Sequence, residues 1–386
     1  MSDKHIPEDI IVRIFSRLPV KSLFRFTCLS KRWCSIILSD SNFAKSHSKT
    51  AVEQQTRGFC RLLLYDRRRL SSSELKTPLF GDDSTVRKLS CPFRQRRGIF
   101  LLCSGNGLVC AVNFDDDDEN FYIWNPSTGF FKQVPHHRVS ASTPYGITYH
   151  GCGYLSATDD FKFLVAGKEK KEKKQVVEIL SWRAQVWKAI EVPKDMFIEC
   201  NGILLNEALH WLGVHVSGGD KVLFAFDLAK EEFRRMSMPI LDEGDKLFDG
   251  ITVSMGKCLC LYRFLEGSYF RKHFGEQNSC IDLWMMREYE VGDSWTKFCR
   301  LRFSNIPRHI YKLRPLLVME DSTLVGKWTY KTDAEAIRVG YDGVVLETNV
   351  LMDSGCRSLE YEESLLRLDD YDKVSSCHKS KVRSNK

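Results

Sequence analysis

Hydrophobic positions follow one rhythm over about the first forty residues and another thereafter. From Ile6 onward, Ile10, Ile11, Ile14, Phe15 and Leu18 recur at helical spacing and fill roughly half of a helix circumference. Glu8, Asp9, Arg13, Ser16 and Arg17 take the other half, with Val12 as the exception. Pro7 suits the first turn, where its missing N–H would lack a partner anyway, and Glu8 and Asp9 complement the positive end of the helix dipole. Pro19 stops this helix. Residues 20–28 restart one with Leu23, Phe24 and Phe26 inside, and Ser30 is placed to cap a third that carries Trp33, Ile36 and Ile37. The pattern predicts three short helices. A bundle of about forty residues leaves too much apolar area in water to be stable alone. It must either cap the rest of the chain or bind a partner.

Beyond Lys49 the helical rhythm gives way to short apolar runs at residues 99–103, 108–112, 121–124, 161–165, 176–180, 222–226 and 258–262, separated by turn signals. Such spacing predicts an antiparallel β domain. A weak repeat runs through it. Trp124-Asn125-Pro126-Ser127-Thr128-Gly129 leads to Phe131 and Pro135, Ser181 leads to Trp187 and Pro193, and Phe226-Asp227 leads to Phe233 and Pro239. Each reads as a hairpin whose first strand ends on a short polar residue and whose return strand carries an aromatic. From Asn125 to Ser181 and from Ser181 to Asp227 the spacings are 56 and 46 residues, near the period of a propeller blade. Trp284 and Trp295 form a fourth copy with a longer loop. On this reading Trp124, Trp187, Phe233 and Trp295 are equivalent core positions. The expected architecture is α+β: a helical segment, then a propeller-like β domain, with a packed β-sandwich as the rival.

The chain has 386 residues, 43% hydrophobic and 12% aromatic, enough for a sizeable core and unlike a disordered protein. It carries no apolar leader and no run of about 18 apolar residues, so a soluble, unsecreted protein without membrane contact is expected. Its fourteen cysteines are scattered, and Cys103, Cys110, Cys258 and Cys260 sit in apolar runs, which points to reduced core thiols. Cys258-x-Cys260 lacks the second pair that a zinc site requires, so no metal or cofactor is expected. The net charge of +7 and the basic clusters at residues 67–69 and 94–97 are offset by acidic residues 115–119, and no aromatic-interleaved nucleic-acid motif is present. Residues 115–119 and 168–174 read as charged insertions between strands. The 168–174 segment resembles a nuclear signal only weakly, because Glu169 and Glu172 dilute it.

Pro7-Glu8-Asp9-Ile10-Ile11, Ile14-Phe15, Leu18-Pro19-Val20-Lys21-Ser22-Leu23 and Cys28-Leu29-Ser30-Lys31-Arg32-Trp33 resemble an F-box in its plant form. Ser104-Gly105-Asn106-Gly107-Leu108-Val109-Cys110, Ile123-Trp124-Asn125-Pro126-Ser127-Thr128-Gly129, Tyr145-Gly146-Ile147-Thr148-Tyr149 with Asp159-Asp160-Phe161-Lys162, and Leu209-His210-Trp211-Leu212 are similar to the F-box-associated domain, itself kelch-like. The resemblance divides the chain into an F-box at residues 1–49, a linker with first strands at 50–97, a β-repeat domain at 98–350 and a polar tail at 351–386, disordered beyond about Asp372. It implies docking onto the Skp-type adaptor of an SCF ubiquitin ligase, and through it the cullin scaffold. Pro7, Ile10, Ile14, Leu18, Pro19, Val20, Leu23 and Trp33 would be the contacts. The β domain would recruit an unknown protein target in the cytoplasm, the nucleus or both.

No nucleophile elbow, phosphate-binding glycine loop or metal-binding helix occurs, and Ser104-Gly105-Asn106-Gly107 reads as a turn. His136-His137 reads as a solvent-exposed loop pair, and His210 as a hydrogen-bonded core histidine. A non-catalytic receptor is therefore the leading class. An enzyme using a propeller channel, or a scaffold unconnected to a ligase, is the alternative.

Overall fold

The computed structural model describes residues 6–53, 60–66, 69–74, 86–93, 98–114, 119–139, 147–169, 175–193, 196–198, 200–215, 219–241, 247–254, 258–265, 280–302, 312–318, 324–329, 333–340, 345–353 and 357–368. The basic cluster at 94–97, the acidic run 115–118, the lysine-rich 170–174 and the chain beyond 368 lie outside these residues.

The helical segment comprises α1 (Glu8–Phe15), α2 (Val20–Phe26), α3 (Lys31–Ser39) and a fourth helix, α4 (Ser41–Glu53). Three helices were expected. The fourth continues the bundle because Asp40 breaks α3 with an extended backbone and its carboxylate then accepts the Asn42 N–H at 2.8 Å, starting a new helix. Phe43, Ala44, His47 and Ser48 turn its buried side inward.

The β region begins with β1 (Cys60–Asp66), β2 (Arg69–Glu74) and β3 (Val86–Leu89). A second unit holds β4 (Ile99–Gly105), β5 (Leu108–Phe114), β6 (Glu119–Trp124) and β7 (Phe131–Gln133). A third holds β8 (Ile147–Leu155), β9 (Asp160–Lys168), β10 (Gln175–Ser181) and β11 (Val186–Ala189). The fourth stretch contains β12 (Met196–Phe197), β13 (Cys200–Asn201), β14 (Ile203–Leu205), β15 (Ala208–His215), β16 (Lys221–Asp227) and β17 (Glu232–Met236). There follow β18 (Gly250–Ser254), β19 (Cys258–Phe264), β20 (Cys280–Met286), β21 (Trp295–Arg302), and then β22 (Lys312–Val318), β23 (Leu324–Thr329), β24 (Asp333–Val339) and β25 (Val345–Asp353). β26 (Arg357–Glu362) returns to pair antiparallel with β1.

Among the described residues these strands form five hydrogen-bonded sheets, the largest being two four-strand meanders joined where β18 pairs in parallel with β22. Strands of successive units abut. β26 lies against β4 and β4 against β8, β13 pairs in parallel with β8, β14 lies against β8 and β18, and β1 touches β25. Such unit-to-unit contacts, closing from β25 back to β1, make a propeller and not two facing sheets, so the sandwich alternative is set aside.

The expected repeat is present but out of phase. Register places Phe131 opposite Trp124, Trp187 opposite Leu180, Phe233 opposite Phe226 and Trp295 opposite Met286. The equivalent outer-strand positions are therefore Phe131, Trp187, Phe233 and Trp295, whereas Trp124 is the third-strand partner in its own unit and is buried against Phe93. Two of the outer tryptophans share a device: Trp187 Nε1 donates to the Pro135 carbonyl at 3.1 Å and Trp295 Nε1 to the Ser237 carbonyl at 2.9 Å. Each carbonyl belongs to the chain just leaving the outer strand of the preceding unit.

The domain limits read from the sequence also shift. The first strands placed at 50–97 are β1, β2 and β3, which form one sheet with β26, and β26 and the residues up to 368 fall within the stretch read as a polar tail. Asn125, buried in the Asn-Pro turn, donates from Nδ2 to the carbonyls of Ser364 at 3.0 Å and Leu366 at 2.8 Å, while its Oδ1 accepts the Ser127 N–H. Ser104 Oγ donates to the Glu360 carbonyl. Gly107, at φ 81°, turns the β4–β5 hairpin directly beneath Ser364, where a Cβ would collide with that side chain. The segment looked polar because Leu365 and Leu366 are its one apolar pair, yet Leu359, Tyr361, Leu365, Leu366 and Leu368 are all buried.

Candidate functional site

The helical bundle divides its apolar surface between two sides. Phe15, Val20, Leu23, Ile37, Phe43 and Ala44 form its core together with Leu365 from the C-terminal segment. Phe15 stacks on Phe26 and meets Trp33 edge-on, both at 5.0 Å between ring centroids. Ile11 and Val12 pack against this core, so Val12, out of place on a single stripe, belongs to the inward side. The outward side of α1 carries Ile6, Ile10 and Ile14, 54%, 39% and 49% exposed, at successive i, i+4 positions.

Local chemistry fixes this row. Pro7 precedes α1 with φ −55° and ψ 142°, and Pro19 precedes α2 with φ −57° and ψ 144°, so each proline sets the entry of a helix. Ser30 Oγ accepts the Trp33 N–H at 3.1 Å as the expected cap of α3. His47 Nε2 meets the Leu18 carbonyl at 2.8 Å and ties α4 to the α1–α2 turn; burial holds its pKa below the ordinary value. Arg32 clamps Glu8 through two hydrogen bonds, at 2.7 and 2.5 Å, joining α3 to the start of α1, and this lowers the Glu8 pKa.

Of the eight residues expected to contact an adaptor, Pro7, Ile10, Ile14 and Pro19 lie exposed on this side, and Leu18 and Trp33 are half-buried beside it. Val20 and Leu23 are not on it. They are 4% and 0% exposed inside the bundle, because α2 turns these two positions toward Phe15 and Ile37. Ile6, one helical turn before Ile10, extends the row and was detectable by periodicity. Leu29 and Leu38 are exposed as well, and no periodic signal marks them. Arg13, Arg17, Arg25, Lys31 and Arg32 of the same segment are exposed, Arg32 paired with Glu8.

The opposite side of the bundle rests on the propeller. Lys45 Nζ pairs with Asp159 at 2.7 Å, Lys21 with Glu74 at 3.4 Å, and Arg367 Nη1 donates to the Leu38 carbonyl at 3.1 Å. The bundle therefore caps the chain on one side and presents an apolar surface on the other.

The histidines singled out in the sequence have structural surroundings. His210 is buried, with Nδ1 against the Ile203 carbonyl at 3.2 Å and Nε2 against Tyr289 Oη at 2.8 Å. A carbonyl only accepts, so Nδ1 carries the proton and Tyr289 donates to Nε2. Burial lowers the His210 pKa to about 4. His136 is exposed as expected, but His137 is buried, edge-on to Phe121 at 4.2 Å. Among the described residues, no helix is long and apolar enough to cross a membrane.

Comparison with known proteins agrees with this division. The F-box domain signature matches residues 4–45, and that of the F-box associated beta propeller domain matches residues 76–368. Among Arabidopsis thaliana proteins, F-box protein CPR1 is 28% identical over 347 residues, covering 83% of this chain and 78% of its own. F-box/kelch-repeat protein At3g23880 is 24% identical over 327 residues, covering 83% and 84% respectively. With helices and propeller joined in the order those signatures require, the chain belongs to the F-box proteins of the F-box associated beta propeller family.

Proposed function

We propose that this protein is the substrate-recognition subunit of an SCF-type ubiquitin ligase and is itself non-catalytic. The observation that carries the reading is the exposed row of Ile6, Ile10 and Ile14, which runs from just before Pro7 along α1, in a segment matched by the F-box signature. A row of aliphatic side chains on a helix already fixed by its inward face is a preorganised docking site, since little entropy remains to be lost on binding. The exposed Arg13, Arg17, Arg25 and Lys31 of the segment favour a Skp-type adaptor with an acidic surface, and through that adaptor the cullin scaffold. The propeller, kelch-like in its four-strand units, then holds a target protein by its loops. Ubiquitin transfer is accelerated by proximity and not by chemistry of this chain's own. The cytoplasm and the nucleus are the compartments in which such a ligase acts.

The test uses the full chain with Ile10 and Ile14 both changed to Asp. Both side chains point outward, so the fold is expected to survive, with unchanged circular dichroism, while adaptor binding falls at least 100-fold. Unaltered binding by the folded variant would refute the docking surface. A chain lacking residues 1–49 should still capture the target yet support no target ubiquitination in a reconstituted ligase; modification at the intact rate would remove the bundle from the recruiting role.

A further inference from the structure

Cys103 on β4 stands directly opposite Cys110 on β5, and Cys152 reaches them from β8 of the next propeller unit. The three side chains are 2%, 0% and 0% exposed, and their sulfurs all lie within 4.8 Å of one another. Gly105 permits this approach, because a Cβ there would strike the Cys152 carbonyl. We propose that Cys103, Cys110 and Cys152 form a three-sulfur site for a monovalent copper ion between the second and third units of the propeller.

Ligand type and number select the ion. A set made only of sulfur favours soft ions, copper(I) and zinc foremost. Zinc in a structural site takes four ligands, whereas among the described residues no fourth His, Cys, Asp or Glu ligand atom joins the three. The surroundings, including Leu102, Leu108, Phe161 and Phe163, are apolar and offer a water nothing to bond. Copper(I), with a filled d shell, is satisfied by three sulfurs. A metal–sulfur distance of about 2.3 Å places the corners of a trigonal site about 4.0 Å apart, within the span found here.

Charge balance points the same way. A buried ion must be neutralised locally, and one thiolate with two thiols neutralises a monovalent cation. On binding, copper(I) forms bonds to three sulfurs, the S–H proton of the sulfur that becomes the thiolate leaves to solvent, and no electron is transferred. The site was invisible as sequence spacing because its members lie 7 and 42 residues apart and meet only through a strand pair and a neighbouring unit.

The test titrates the full reduced chain, without oxygen, with copper(I) supplied from a copper(I)-selective chromophoric chelator. The wild type should hold one tight equivalent more than Cys152→Ala and than Cys110→Ala, with affinity at that site at least 100-fold weaker in each variant, while Cys258→Ala matches the wild type. X-ray absorption of the loaded protein should give three sulfur neighbours at about 2.3 Å. Loading should raise the melting temperature of the wild type and of no variant lacking a member of the trio. Cys103→Ser provides a second probe if an alanine variant fails to fold. Equal copper content in wild type and folded Cys152→Ala, a fourth light-atom ligand, or zinc displacing copper(I) from the site would overturn the proposal.

Discussion

Leu23 and Ile14 are both aliphatic residues of the helical segment, and burial gives them different work. Leu23 is fully enclosed beside Phe15 and Leu365. Leu23→Ala should cost about 2–5 kcal/mol and melt the bundle, read by thermal unfolding. Ile14→Ala should leave stability within about 0.5 kcal/mol yet weaken adaptor binding at least tenfold in a titration. His210 makes a prediction in pH. Its folded pKa of about 4 lies below the ordinary 6.5, so below pH 6.5 the unfolded chain takes up the proton first. The stability that neutral His210 provides is complete above pH 6.5 and is lost progressively as pH falls toward 4, by about 3 kcal/mol in all. Denaturant midpoints for wild type and His210→Gln should therefore converge as the solution is acidified through that window. The helical face of α1 was legible in the sequence because i, i+4 spacing is a property of local geometry. Leu23 was read as inside from the sequence, but the interior placement of Val20 was not, because the core it joins includes Leu365, more than 300 residues away.

At the scale of elements, hairpin chemistry was readable and its phase was not. Ser181 and Asp227 announced turns, and the aromatic after each was correctly given to a return strand. Trp124 was misassigned because Trp-Asn-Pro places its aromatic before the turn, while Trp187 and Trp295 come after one. The outer-strand tryptophans then bind one unit to the previous one through a single indole hydrogen bond each. Trp187→Phe and Trp295→Phe keep the ring and remove that donor, and each should lower stability by about 1 kcal/mol. The two sites lie in separate units and share no partner, so the double variant should show the sum within about 0.5 kcal/mol by urea denaturation. The Asn125 turn was recognised from sequence as structural, but its partners were not predictable: the turn grips the carbonyls of Ser364 and Leu366, and no local signal points across such a distance.

At the scale of the molecule, one stretch near the C-terminus belongs to both parts of the protein. β26 completes the first propeller sheet, Leu365 completes the helical core, and Leu366 and Leu368 enter the core of the second and third units. A chain ending at residue 368 should melt like the full protein, whereas one ending at 356 should lose the closing strand and be digested rapidly by a protease, bundle included. Helical segments ordinarily form early because their contacts are local, and closure between distant strands comes late. Here the early segment depends on the late one. While the polypeptide is still being synthesised, the apolar row of α1 can exist on a helix, but the core that holds that helix in place lacks its last leucine until about residue 365 has left the ribosome. A polypeptide cut short by a premature stop thus lacks a finished helical core, and on the proposed function it would compete poorly for the adaptor.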